Sequence, residues 1–146
     1  MFKKILLAIL FTTLASLATA EDFTSPVGRW QTFNDDTQAP ASLVKITNQN
    51  GVLVGEVLQL LPGAHFKPTD LCSKCPAPFK NKPIVGLQFL WGFVLDQNQT
   101  WENGQVLDPV SGHIYKGRLK VVDHGRKLEL RGYWGPFWRT QTWVRL

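Results

Sequence analysis

The sequence predicts an all-β protein, a small antiparallel meander of about eight strands that closes into a barrel. Three observations support this class. Short β-rich runs recur along the chain, each followed by a cluster of Gly, Pro, Asn or Asp. Two of these runs alternate between apolar and charged residues with a period of two. Beyond residue 20, no stretch of ten or more residues has clear helical spacing.

Seven to nine strands are expected in chain order. Asn50-Gly51 separates two of them and is a strong hairpin signal, because both residues tolerate positive φ. Asn103-Gly104 is interpreted in the same way, as the turn within a further strand pair. The apolar run 84–95 contains two glycines and predicts one long bent strand or two short ones. The remaining predicted strands are 28–33, 42–49, 53–61, 113–122, 127–134 and 139–146.

Consecutive hairpins favour an antiparallel meander, and closure into a barrel removes its exposed edges. A barrel of about eight strands has an interior that side chains fill or that holds one small ligand. A β-sandwich is the alternative architecture.

The first 20 residues predict a signal peptide. Lys3 and Lys4 precede an apolar stretch, 5–17, and Ala18-Thr19-Ala20 fits a cleavage site. Cleavage there leaves a single β-barrel domain, 21–146, and lowers the formal charge from +5 to +3. No second long apolar run follows, so we expect no transmembrane segment in the mature chain. The expected location is outside the cytoplasm, periplasmic or secreted.

Composition excludes several classes of protein. Aromatic residues make up 12% of the chain, which is too many for a disordered protein. The small positive charge does not by itself indicate nucleic acid, and the sequence contains no recognisable nucleic-acid-binding module. We therefore expect no nucleic-acid partner and no cofactor.

Cys72 and Cys75 form a C-x-x-C motif within the Pro-rich stretch 62–83. In an oxidising compartment the pair predicts a structural disulfide that pins this stretch. A redox-active pair needs the first thiol at a helix N-terminus, and the two prolines that follow disfavour a helix there. Zinc needs about four ligands; His65 and Asp70 would add two, but the chain has no second C-x-x-C. The disulfide is therefore favoured, and no metal site is predicted.

No catalytic constellation is present in the sequence. His65, His113 and His124 lie in or beside predicted turns, without a partner at triad or metal-ligand spacing. Asp108-Pro109 followed by Ser111-Gly112 is a turn signal rather than a nucleophile elbow. We therefore expect a protein that is not an enzyme.

A set of aromatic residues with two polar neighbours is the candidate lining of a ligand cavity. Trp and Tyr combine a large apolar area with a polar handle, which suits a pocket and an ordinary core equally well. If Arg139 and Gln141 point inward, an anionic ligand head would pair with them. The opposite face of the same strand, with Thr140, Thr142, Val144 and Leu146, is an equally plausible inward set. The candidate ligand-binding residues are Trp91, Trp101, Tyr115, Tyr133, Trp138, Arg139 and Gln141.

Two surface features offer an alternative role in contact with a partner. The Gly-Pro turn within 134–138 would leave large rings at a loop tip. Alternation also places basic side chains on one patch of two neighbouring strands, which suits an anionic envelope surface or an ordinary solvated exterior. These residues are Lys116, Arg118, Lys120, Lys127 and Arg131, interrupted by Glu129.

Gly28-Arg29-Trp30 resembles the Gly-x-Trp of the first strand in lipocalins and fatty-acid-binding proteins, and Arg145 lies where their last strand places an arginine. This resemblance implies that Arg145 packs over the Trp30 ring and closes one barrel end.

A broader resemblance covers residues 27–146, to the domain of unknown function 2147 family of small exported bacterial proteins. It implies a fold and a compartment, but no activity. The matching segments, in order, are Gly28-Arg29-Trp30, Cys72-Ser73-Lys74-Cys75, 82–87, Leu90-Trp91-Gly92, 107–112, Tyr115-Lys116, Arg131-Gly132-Tyr133 and 139–143.

Two hypotheses of function follow. The first is a non-enzymatic, lipocalin-like barrel of the cell envelope that binds a small apolar or amphipathic ligand in its interior. The alternative is an envelope interaction module that uses the basic face and the aromatic loop, without an internal ligand.

Overall fold

The computed structural model describes residues 24–146 of the chain. The predicted signal peptide, 1–20, and the first three residues of the predicted domain lie outside the described residues.

Eight antiparallel strands form a closed barrel in which each strand pairs with the next one and the last pairs with the first. The predicted fold class, a closed meander of about eight strands, is therefore confirmed. Within residues 24–146 there is no helix of the length and apolarity that crossing a bilayer requires. The strands are β1 (Gly28–Phe33), β2 (Pro40–Gln49), β3 (Val52–Leu60), β4 (Gln88–Leu95), β5 (Trp101–Leu107), β6 (Ile114–Val122), β7 (Lys127–Trp134) and β8 (Phe137–Arg145).

The Asn50-Gly51 turn joins β2 and β3 as predicted, with φ values of 55° and 89°. The predicted turn at Asn103-Gly104 is wrong, because both residues lie inside β5. Asn103 has a φ of 61°, and the register with β6 shifts beside it. An Asn-Gly pair supplies the same left-handed backbone to a β-bulge as to a hairpin, so the dipeptide alone does not distinguish them.

The apolar run 84–95 contributes one strand, β4, which begins only at Gln88. Residues 84–87 belong instead to the long connection that precedes it. Their backbone leaves the regular ladder, with Leu87 O accepting from Val57 N and Gly86 N donating to Val57 O. A register shift opposite Gly55 and Glu56 leaves Phe89 as an extra residue, and Phe89 is buried together with its neighbour Leu90.

Arg145 closes one end of the barrel and the seam between β1 and β8. Its guanidinium lies 4.1 Å from the centroid of the fully buried Trp30 ring. It also donates to the backbone oxygens of Ser25, Val27 and Gly125, at 2.8, 3.0 and 2.6 Å. Gly28 is required in this arrangement, because a Cβ there would lie 2.9 Å from Arg145 Nη1.

Large side chains fill the barrel near this closed end. The Phe93 ring lies over Gly104 and Gly117 on the next two strands, where an added Cβ would come within 2.3 and 3.1 Å of ring atoms. Trp30, Phe93 and Trp143 are all buried. The interior here is a packed core, which is the usual condition of small barrels.

We expect Arg145→Leu to lower the free energy of unfolding by about 3 kcal/mol, because it removes a cation–π contact and three charge-assisted hydrogen bonds. Urea denaturation followed by far-UV circular dichroism measures the change. Arg131→Leu is the matched control, since Arg131 also lies over an indole, that of Trp138 at 5.7 Å, but on the surface. Its expected cost is below about 1 kcal/mol. Equal losses in the two variants would contradict the closing role of Arg145.

Candidate functional site

The two ends of the barrel differ in their connections. Three short hairpin connections and the Trp30–Arg145 pair lie at the closed end. The other end, which we term the mouth, carries the four remaining connections: 34–39, 61–87, 108–113 and 135–136.

The long connection 61–87 contacts two other connections of the mouth, and part of it packs on the outer face of β4, where Phe79 stacks on Trp91. Near its start, Gly63 O accepts a hydrogen bond of 3.0 Å from Asn34 Nδ2, in the connection between β1 and β2. Farther along, Cys72 Sγ lies 3.9 Å from Pro109 O, in the connection between β5 and β6. These two connections are four strands apart around the barrel, so the segment links distant parts of the rim of the mouth.

Cys72 and Cys75 are joined as a disulfide inside this segment. Their exposed fractions are 0% and 2%, and they pack in the same cluster as Ile84 and Leu87. Backbone hydrogen bonds from Asn81 N to Cys72 O and from Cys72 N to Lys82 O close the loop around them. This burial fits a structural crosslink and gives neither sulfur the exposure that a redox-active thiol needs.

The facing of β8, which the sequence left open, is clear in the structure. Trp143 is buried and Arg145 lies over Trp30, so the alternate residues Arg139 and Gln141 belong to the inner face, nearer the mouth. Thr140, like the other members of the alternative set, lies on the outer face and is exposed.

A chain of polar contacts runs along this inner face to the mouth. Trp143 Nε1 donates to Gln141 Oε1 at 3.2 Å, and Gln141 Nε2 donates to Asp35 Oδ2 at 2.8 Å. Arg139 forms an ion pair with the same Asp35 carboxylate. The polar groups at the mouth are therefore paired within the protein, by Asp35 rather than by a ligand.

Asp35 was not among the residues that the sequence singled out for the site. It lies in the connection between β1 and β2 and reaches a side chain 106 positions away. Its sequence context, Asn34-Asp35-Asp36 between two predicted strands, indicates only a turn. The pairing with Arg139 and Gln141 could therefore not be predicted without the barrel register.

Tyr115 shares the mouth with this polar chain. It lies on the inner face of β6, two residues before the buried Gly117 on the same face. Its hydroxyl is 3.3 Å from His113 Nδ1, and its Cβ lies 3.9 Å from the position that a Cβ on Gly132 would take. The small residue on β7 therefore leaves space beside Tyr115 on the side that faces β8.

The other predicted lining residues are placed elsewhere. Trp91 is on the outer face of β4, where it stacks on Phe79 at 5.3 Å and donates to Gln105. Trp101 is buried at the closed end of the barrel. Tyr133 and Trp138 pair with each other across β7 and β8, on the face that also carries Arg131. Of the seven candidates, the structure brings together Tyr115, Arg139 and Gln141.

Three large rings project at the turn between β7 and β8, and we term Trp134, Phe137 and Trp138 the aromatic tip. Their exposed fractions are 73%, 67% and 60%. Trp134 and Phe137 continue the inner-face alternation and lie 6.3 Å apart between ring centroids, whereas Trp138 is on the outer face. The tip therefore forms an apolar rim directly above Arg139.

Two shallow depressions lie on the outside of the barrel. One, of about 130 Å³, is lined by β2 and β3 side chains that include Lys45 and Glu56. The other, of about 200 Å³, lies beside Phe79 and Pro83 in the long connection. Among residues 24–146, no group of three His, Cys, Asp or Glu side chains is placed to hold a metal ion.

Comparison with known proteins identifies a family and a solved structure that the chain resembles. Residues 28–145 match the sequence profile of a family described as an uncharacterised protein conserved in bacteria, DUF2147. A solved structure from the human pathogen Helicobacter pylori, described as belonging to the lipocalin family, superposes with a TM-score of 0.68. It is 23% identical, and the match covers 82% of each chain. No curated protein matches the sequence.

We expect Gly112→Ala to destabilise the packing of the long connection against the β5–β6 connection, because the new Cβ would lie 1.9 Å from Lys74 O. Gly86→Ala is the matched control: Gly86 has a similar φ, 89° against 78°, but open space around it. The backbone strain is thus shared, and overpacking adds about 1–3 kcal/mol only at position 112. Urea denaturation measures the difference, and equal stabilities of the two variants would contradict the contact.

Proposed function

The chain belongs to the DUF2147 family of uncharacterised bacterial proteins, and we propose from this premise that it is an exported, non-enzymatic binding protein for a small amphipathic anion. The binding site is the mouth of its lipocalin-like barrel. The observation that carries the proposal is the exposed Arg139–Asp35 pair directly beneath the aromatic tip.

The mouth is favoured over the deep interior because of how the barrel is packed. The buried rings of Trp30, Phe93 and Trp143 occupy the inner section toward the closed end. The inner face becomes accessible only at Gln141 and beyond, where burial decreases toward Arg139. A ligand therefore enters to the depth of Gln141 and keeps part of its surface at the rim.

Within the Arg139–Asp35 pair, the Arg139 guanidinium is the group that would bind an anionic ligand. The two side chains are 68% and 35% exposed, and an ion pair of that exposure contributes only about 0–1 kcal/mol. An anionic group on a ligand competes with the Asp35 carboxylate for the same guanidinium at little cost. Guanidinium binds carboxylate, sulfonate and phosphate oxygens with paired donors, which suits any of these head groups.

The apolar part of the ligand has its own partners above the guanidinium. Trp134 and Phe137 continue the inner face past Arg139, and Tyr115 lies across the space left by Gly132. Aromatic rings offer a large contact area at low conformational cost. A molecule with a charged head and a planar or aliphatic body matches this order of groups.

We expect Asp35→Asn to strengthen the binding of 1-anilinonaphthalene-8-sulfonate about fivefold, because it removes the internal competitor for Arg139. Arg139→Gln weakens the same binding by a similar factor. Fluorescence titration of the purified protein measures both. N-phenyl-1-naphthylamine, the same ring system without the sulfonate, reports the apolar contribution, and its affinity should change less than twofold in either variant.

Arg131→Gln is the control for general charge, since Arg131 lies on the outer face of the neighbouring strand. It should leave the ratio of the two dye affinities as in the unmodified protein. If the affinities for both dyes change by the same factor in the Asp35 and Arg139 variants, the mouth does not select for charge. A change in the ratio of the two dye affinities in the Arg131 variant would also contradict the proposal.

A further inference from the structure

The aromatic tip is exposed far beyond what folding requires. Each of its rings carries roughly 150–250 Å² of area that is normally buried. The turn itself points into open space, because an added Cβ on Gly135 would have nothing within 4 Å. Monomeric proteins rarely expose contiguous apolar patches of this kind without a partner.

The rings do not form a single flat platform. Trp134 and Phe137 are tilted by 51° to each other on the inner-face side, and Trp138 is on the outer side of the same two-strand turn. A stacked base needs one accessible ring face held in a groove. The aromatic tip carries rings on both of its sides and so forms a wedge. Such a wedge can be contacted from all sides when it inserts into the interface of a bilayer.

Positive charge extends from this wedge along the outer face of the barrel. Arg131 is three residues from Trp134, or about 10 Å along an extended strand. Lys116 pairs with Tyr133 on the adjacent strand, closer still to the tip. Among the described residues, no acidic side chain lies within salt-bridge distance of Lys116 or Arg131.

The register adds a like-charge contact to this face. Arg118 is directly opposite Arg131 in the β6–β7 ladder, an arrangement that disfavours the folded state. Glu102 accompanies Arg118 at 3.9 Å on its other side, away from Arg131. An anionic surface placed against this face would relieve the repulsion that the fold leaves in place.

We propose that the protein docks on anionic phospholipid bilayers through the aromatic tip, with Lys116 and Arg131 against the lipid head groups. Trp and Phe rings are stable at the boundary between head groups and acyl chains. Each basic residue close to such a surface strengthens binding about fivefold. Docking in this orientation turns the mouth toward the membrane and does not depend on any ligand in the barrel.

The experiment measures co-sedimentation of the exported form of the protein with vesicles. Mass spectrometry first verifies the N-terminus, since a retained apolar leader would itself bind lipid. Vesicles of phosphatidylcholine alone are compared with vesicles containing 30% phosphatidylglycerol, a composition chosen on the order of natural anionic content. The protein should bind the anionic vesicles, and the combined Trp134→Ser and Phe137→Ser variant should lose at least about tenfold in affinity.

Matched controls separate the tip from general hydrophobicity and charge. Leu95→Ser removes an apolar side chain that is 52% exposed at the closed end, and it should bind as the unmodified protein does. Lys116→Gln with Arg131→Gln should weaken binding to anionic vesicles about 25-fold, at about fivefold per charge. Lys45→Gln, on the exposed surface of β2, should change it less than twofold.

Several results would overturn the proposal. Equal binding by the tip variant and the Leu95 control would do so, as would binding that depends on Lys116 and Arg131 but is unchanged in the tip variant, which indicates adsorption by charge alone. Tip-dependent dimerisation in light scattering, without vesicle binding, would assign the rings to a second copy of the chain.

Discussion

Closure of the barrel depends on one cation at the end of the last strand. The ladder between β1 and β8 is short, with Trp30 opposite Arg145 and Gln31 opposite Val144. The Arg145 guanidinium reinforces this seam by covering the Trp30 indole and by binding backbone oxygens from two separate parts of the chain. The segment just before β1, the β6–β7 turn and the last strand are thereby fixed to each other at one point.

The packing at that end determines which inner-face side chains of β8 are accessible. Large rings and inward glycines fill the lower barrel, and Gln141 and Arg139 lie above this packing, nearer the mouth. The connection between β1 and β2 supplies Asp35 at the same level. Exposed loops on a rigid scaffold are the usual place for recognition, which is why the ligand site is proposed at the mouth.

Periodicity in the sequence predicts the strands, because successive side chains of a strand point to opposite faces in every β architecture. The alternation of apolar and polar residues therefore indicates a strand whichever fold the strands build. It does not predict which face of β8 is inside, because both alternating sets contain residues that a barrel can accept. Asn103 shows a second limit, as a positive φ serves a turn and a bulge equally. Asp35 shows a third: its contact with Gln141 joins distant parts of the chain, and only the closed register brings them together. The outward positions of Trp91, Tyr133 and Trp138 depend on the same register.

The orientation of the Gln141 amide has an optical consequence. Its oxygen accepts from the Trp143 indole and its nitrogen donates to Asp35, so the amide links a buried fluorophore to a solvent-facing carboxylate. Displacement of the carboxylate would release the amide nitrogen and let the hydrogen bond at the indole nitrogen change, and indole emission is sensitive to that bond. Trp143, one of six Trp residues in the chain, is thus coupled to the ion pair at the rim through a single side chain.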